Sequence, residues 1–214
     1  TNLEPNEILF IDEAHRINRM IEEVLYPAME ARKLHLMVGK GPSARTIQLE
    51  LPPFTLLGAT TRVAMLSSPL RSRFSGGVFR LEFYNQDEIG KIIKRSAKIL
   101  GVELGDRAAG VIAERSRFTP RTANYLLKRA RDYAQVHKRE LDEALAKEAF
   151  DLLGIDHRGL NSSDRAIIET LAKKFSGGPA GLNTLAASLS EEEATIEEFH
   201  EPYLLQIGFL ERTP

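Results

Sequence analysis

Cysteine and tryptophan are both absent from this 214-residue chain. Without a thiol there is no disulfide, no zinc–thiolate centre and no cysteine nucleophile, a usage that suits a reducing cytoplasm. Long apolar runs are missing too. None approaches the ~18 residues of a membrane span, and no signal peptide is visible, so no membrane partner is expected. Neither sign of charge is in excess. With 29 Lys and Arg against 30 Asp and Glu, the formal net charge is −1. No global basic field attracts nucleic acid, so any such contact needs a local patch. The histidines (His15, His35, His137, His157 and His200) are scattered, with no second ligand at metal-binding spacing, which argues against zinc. A phosphate-binding loop of the form G-x-x-x-x-G-K-[ST] is also missing. The only Gly-Lys pairs, Gly39-Lys40 and Gly90-Lys91, have neither the earlier glycine nor the following hydroxyl residue.

What is present starts with Ile8-Leu9-Phe10-Ile11-Asp12-Glu13. A short apolar run ending in two carboxylates reads as a buried strand of a parallel sheet. Its acids lie at the carboxyl end, where open α/β sheets bind their ligands. In an NTPase the first acid holds Mg²⁺ through water and the second polarises the water that attacks the γ-phosphate. A strand that simply ends in solvated acids has the same pattern.

Along the chain, residues 18–31 carry apolar side chains at helical spacing. Two β-rich runs follow, 34–38 and 45–51, around Gly39-Lys40-Gly41-Pro42-Ser43, a hairpin signature. Phe54 to Ala59 predicts another strand, ending in Thr60-Thr61-Arg62. Residues 68–74 predict a Pro-started turn or short helix with Arg71 and Arg73, and Arg80 to Tyr84 a short strand. Helices are predicted over 86–100, 106–116, 120–137 and 140–153, then a linker over 156–160. The last segment predicts a helix over 162–174, two shorter helical patterns and a terminal β-strand from Gly208, which fits a winged helix-turn-helix. The domains expected are 1–84, 85–156 and 157–214.

This order of elements, with Glu22-Glu23-Val24-Leu25-Tyr26-Pro27-Ala28-Met29-Glu30, Leu51-Pro52-Pro53-Phe54-Thr55-Leu56, Gly58-Ala59-Thr60-Thr61-Arg62, Ser68-Pro69-Leu70-Arg71 and Glu201-Pro202-Tyr203-Leu204, closely resembles the RuvB family from residue 8 to residue 214. The resemblance implies the C-terminal part of an α/β AAA+ P-loop core, an all-α lid and a winged-helix DNA-binding domain. It implies a hexameric ATPase, a helicase or translocase that drives Holliday-junction branch migration in recombination, DNA repair and the SOS response of bacteria. Implied ligands are ATP or ADP with Mg²⁺. Implied partners are duplex DNA, RuvA and, indirectly, the resolvase RuvC.

Residue by residue, the resemblance makes Asp12 (with Mg²⁺, via water) and Glu13 the Walker B pair and Thr61 the sensor 1 group. Arg73 becomes the arginine finger, with Arg71 as its competitor. Glu30, Ala31 and Arg32 fall on the surface presented near a neighbour's ATP, although Ala31 and Arg32 depart from the family pattern. Tyr84 matches a residue near adenine, and Arg121, in Thr119-Pro120-Arg121, matches sensor 2. Phe118 stands where the family usually has Gly, and Ser75-Gly76-Gly77-Val78 is one residue longer than usual. The hairpin 34–51, with Leu36, Val38, Ile47 and Leu49, matches the RuvA-binding insertion. A half-buried hairpin serving its own domain is the plainer reading. The third helical segment of the winged helix is acidic, so the charge available to DNA is Arg212 at the wing, for backbone contact rather than base reading.

Three functions compete. One is the motor, with this chain as an inactive portion of a longer subunit. The second is a non-catalytic AAA+ remnant that binds DNA and a partner. The third is a clamp-loader or initiator ATPase, which the hairpin and the Glu-Pro-Tyr-Leu block argue against.

Overall fold

The computed structural model describes residues 3–39 and 45–213. The chain divides into two compact units, Thr1–Arg80 and Leu81–Pro214.

In the first unit, β1 (Glu7–Ile11) pairs in parallel with β4 (Phe54–Gly58), with Ile11 opposite Gly58. The chain between them forms α1 (Arg19–Ala31) and an antiparallel hairpin of β2 (Lys33–Val38) and β3 (Arg45–Glu50). α1 starts where the Asn18 side chain accepts the Ile21 N–H, and ends at Arg32 in the left-handed region, a helix stop that satisfies the last carbonyls. The short α2 (Ser68–Arg73) has Ser67 as its cap and Pro69 in its first turn. A small core of Ala14, Leu66 and Leu70 gathers Ile11, Ile17, Tyr26, Met29 and Phe74. Gly58 lets Phe74 pack closely where β4 ends, because a Cβ there would stand 3.1 Å from the Phe74 ring.

The second unit is helical. α3 (Gln86–Ile99), α4 (Asp106–Glu114), α5 (Pro120–His137) and α6 (Glu143–Leu152) enclose one apolar core. Ile89, Ile93, Ile112, Leu126, Leu127, Leu145 and Phe150 are fully buried in it. α3 opens with a full capping box between Asn85 and Glu88. α7 (Ser162–Lys174), α8 (Leu182–Leu189) and a continuous helical stretch form a second core around Ile167, Ile196 and Leu204. That stretch is α9 (Glu193–Thr195), a π-turn (Ile196–His200) and α10 (Glu201–Gln206). Pro202 has no N–H to give the preceding turn, which accounts for the wider turn just before it.

Several expectations change. β1 is parallel, but Ile8 and Phe10 are about 60% exposed, because among the described residues its sheet has only two strands. Residues 80–84 form no strand, and Leu81 is 92% exposed. An alternating pattern becomes a strand only when a neighbour takes its ladder hydrogen bonds, and none is present among the described residues. The run after Gly208 likewise forms no strand through residue 213. Leu210 instead packs on the second helical core, and the Phe209 and Leu210 N–H groups both donate to Leu204 O. The hairpin tip at Lys40 to Ser43 lies outside the described residues.

The segment 156–160 is no loose linker. The Asp156 carboxylate accepts the N–H groups of Arg158 and Leu160, and the Asp156 N–H donates to Leu160 O. Arg165 donates to Leu160 O and Gly154 O. Gly159 (φ +74) lies so close that a Cβ would meet Arg115 O at 2.6 Å, which leaves no room for another residue.

Candidate functional site

Parallel pairing puts the ends of β1 and β4 side by side. The Ala59 N–H donates to Ile11 O and the Ala14 N–H to Ala59 O, each at 2.9 Å. Asp12 and Glu13 therefore emerge next to Ala59-Thr60-Thr61. Asp12 is exposed, and its Oδ1 accepts the Glu13 N–H at 3.0 Å. Glu13 sits in the left-handed region (φ 48°, ψ 47°) before a single 3-10 turn, Ala14–Arg16. Its Oε2 is buried without a hydrogen-bond donor. Thr61 is exposed at the end of the neighbouring strand. Two carboxylates and a hydroxyl at adjacent parallel-strand ends are hard oxygen donors, the set that suits Mg²⁺ and its water shell.

His15 was set aside in the sequence as a solitary histidine. Here its Nδ1 lies 2.8 Å from Thr60 Oγ1 and 3.3 Å from Glu13 Oε2. Thr60 Oγ1 also accepts the Arg62 N–H at 3.0 Å. Nothing in the one-dimensional pattern links residues 15 and 60. Only the parallel register brings them together.

Arg73 and Glu30 meet. Arg73 Nη2 lies 2.8 Å from Glu30 Oε1, Nη1 donates to Pro69 O, and the guanidinium stacks 4.2 Å from the centre of the Tyr26 ring. Tyr26, half-buried, donates to Glu22. Arg73 is thus oriented by three neighbours, whereas Arg71 is exposed and its side chain makes no hydrogen bond or ion pair among the described residues. Ala31 and Arg32 are exposed where α1 turns into β2.

The hairpin is only partly covered by its own unit. Leu36 lies opposite Ile47 and Leu34 opposite Leu49. Leu36, Val38, Ile47 and Leu49 are all exposed, as is Met37 on the other face.

In the second unit, Tyr84 is exposed immediately before α3 and Arg121 is exposed in the first turn of α5. The Thr119 side chain caps α5 and Pro120 opens it, so Arg121 stands at a helix N-terminus, an end whose dipole favours anions. Two residues before that cap, Arg117 and Phe118 are both left-handed, φ 53° and 54°. The positive φ accounts for the glycine expected at Phe118. The phenyl ring here packs on the second core, 6.4 Å from the Tyr203 ring.

Arg117 reaches a fully buried acid, Asp164. Its Nε donates to Gly159 O at 3.0 Å, and its guanidinium lies over Tyr203 and Phe199. Asp164 also accepts the Asn161 N–H at 2.8 Å and lies 2.6 Å from Nδ1 of the buried His200. Burial works against ionisation of Asp164. The bonds from His200 and Asn161 and the charge of Arg117 outweigh it and hold the carboxyl below its usual range. Arg212 is engaged too: its guanidinium makes a two-point contact with Glu201 at 2.9 and 2.8 Å. The cation at the wing is therefore offset by an acid of the same domain.

Three family models match in sequence. They are described as the Holliday junction DNA helicase RuvB P-loop domain (residues 1–81), the RuvB AAA lid domain (84–156) and the RuvB C-terminal winged helix domain (157–214). The chain is 58% identical over 215 residues to the Holliday junction branch migration complex subunit RuvB of Dehalococcoides mccartyi (strain CBDB1). The match covers 100% of this chain and 61% of that relative. The solved Thermotoga maritima RuvB Holliday junction branch migration motor superposes with a TM-score of 0.83 at 47% identity, covering 100% of this chain and 67% of that one. A proline-to-glycine variant of the Thermotoga maritima protein gives 0.85 at 46%, covering 100% and 68%.

Proposed function

The chain belongs to the RuvB family, and from that premise we propose that it is the part of a branch-migration motor subunit that activates water, senses nucleotide and grips DNA. The observation that carries this reading is the juxtaposition of Asp12 and Glu13 with Thr61 at the ends of paired parallel strands. Asp12 would hold Mg²⁺ through water, and the ion would offset charge on the phosphates. Glu13 would polarise the attacking water, and Thr61 would hydrogen-bond that water or the γ-phosphate. Arg73, held by Glu30 and Tyr26, would be offered to a neighbouring subunit's ATP. Arg121 would contact the γ-phosphate in its own subunit, with Tyr84 near adenine.

The functional division would be 1–84, 85–156 and 157–214. The exposed apolar hairpin, 34–51, is the surface for RuvA, and RuvC would meet the motor only through the shared junction. The motor would be a homohexamer on duplex DNA in the bacterial cytoplasm. No helix among the described residues is long and apolar enough to cross a membrane. Glu201 pairs with Arg212, so the winged helix would hold the DNA backbone only where phosphate displaces that acid.

The test is Glu13→Gln in an intact RuvB subunit bearing this sequence. ATP binding persists and turnover disappears, because only water activation is removed. Turnover at the wild-type rate would overturn the assignment and favour the non-catalytic reading.

A further inference from the structure

We propose that His15 is a positioning residue, whose Nδ1–H, anchored on Thr60, holds the Glu13 carboxylate at the end of the sensor strand. The inference rests on the reading of Glu13 as the water-activating base. It gives a structural role to the histidine that closes the Asp12-Glu13-Ala14-His15 run.

The charge on Glu13 selects the tautomer. Thr60 Oγ1 has one proton and two lone pairs. The Arg62 N–H takes one lone pair at 3.0 Å. If the Thr60 hydroxyl donated to His15, Nδ1 would present a lone pair to Glu13 Oε2 at 3.3 Å. That puts a lone pair against a carboxylate and leaves the buried Oε2 with no donor at all. If instead Nδ1 carries the proton, His15 donates to Thr60 at 2.8 Å, and the positive end of that N–H faces Glu13 Oε2 at 3.3 Å, an electrostatic contact rather than a hydrogen bond. Both lone pairs of Thr60 are then used, and its hydroxyl proton is left to turn outward. This arrangement sets a donor, not a lone pair, against the carboxylate, and it requires no net charge on the imidazole.

The backbone supports the same role. Glu13 is left-handed, a costly conformation for a residue with a Cβ. It is fixed on one side by its N–H to Asp12 and on the other by Ala14, which is 2% exposed and bonded to Ala59 O. The 3-10 turn then folds the imidazole back between Glu13 and Thr60, where its side chain is only 8% exposed. Glu13 itself remains 45% exposed, so its carboxylate is free to rotate unless something holds it. A base displaced by about 1 Å can lose roughly 100-fold in rate.

The experiment uses an intact RuvB subunit bearing this sequence, and reads kcat, ATP affinity and melting temperature together. His15→Ala and His15→Gln lower kcat roughly 10- to 100-fold, with ATP affinity and melting temperature close to wild type. His15→Asn, whose amide N–H falls near the Nδ1 position, restores most of kcat. Thr60→Val lowers kcat as His15→Ala does, the double variant is no worse than either, and Thr60→Ser is near wild type. Wild-type kcat in His15→Ala, or an Asn variant as slow as the Ala variant while both remain folded, overturns the proposal. If His15→Ala does not fold, the contrast between Thr60→Ser and Thr60→Val decides it in the same way. Failure of the underlying reading is separate: it is Glu13→Gln that keeps turning over, whatever His15 does.

Discussion

Asp164 is the acid whose loss should do most damage to the helical unit. It is fully buried, and three groups converge on it: the Arg117 guanidinium, the His200 ring and the Asn161 N–H. Asp164→Asn preserves shape and leaves an acceptor for His200, but it strips Arg117 of its counter-charge. The side chain of Arg117 is only 12% exposed, so water compensates poorly. Removing one partner of such a pair costs about 3–5 kcal/mol. For a unit the size of Leu81–Pro214, 1 kcal/mol moves the midpoint by about 3–5 °C, so the transition should fall by about 10–25 °C. Scanning calorimetry of the 214-residue chain reads it. Arg117→Met added to Asp164→Asn should recover part of the loss, because it removes the stranded charge. The pH dependence has a definite sign. A carboxyl held below its ordinary value of 3.8 contributes its full stability above that value, and loses it as pH falls toward the folded pKa. The gap between wild type and Asp164→Asn is therefore widest near neutrality and narrows below about pH 4. A shift under about 3 °C, or a gap that stays constant down to pH 3, would refute the reasoning.

Two further outcomes follow from the first unit. In mixed RuvB rings, Arg73→Ala subunits should bind ATP yet fail to support hydrolysis next door, a loss of roughly 10³-fold. Mixing them with Glu13→Gln subunits should restore part of the turnover, whereas mixed rings as inactive as either parent would pass the role to Arg71. Ile47→Glu in the hairpin should abolish RuvA binding in a surface-plasmon assay. It should change the melting temperature little, since Ile47 is 46% exposed opposite Leu36; a large loss of stability would make the hairpin structural.

The helices were legible because periodicity and caps agree. The predicted start at 86 coincides with the Asn85–Glu88 capping box, and the start at 120 with Thr119 and Pro120. The prediction at 140 began three residues early, because Asp142 is the cap. Residues 80–84 show where pattern fails: alternation records what a strand would bury, not whether a neighbour is there to pair with it. The Asp156 turn was read as a linker because small and polar residues look alike whether their oxygens are solvated or stapled. Asp12, Glu13 and Thr61 were named from motif and order, and the structure brings the ends of their strands together. Other pairings left no signal: His15 meets Thr60 across 45 positions, and in the helical unit Asp164 meets Arg117 and His200 across 47 and 36. Such distances leave no periodic trace.

The stapled turn at 156–160 has a mechanical consequence. With Gly159 pressed on Arg115 and Arg117 paired with Asp164, the joint between the four-helix lid and the winged helix is tied at two points. Arg121, in the first turn of α5, is four residues from Arg117 along the chain. A joint tied in this way would carry displacement both ways. In a motor built from this piece, binding free energies must be reciprocal. If Arg121 senses nucleotide as proposed, tension on the DNA would bear on it as directly as ATP bears on the DNA, so load would be felt as a change in nucleotide affinity.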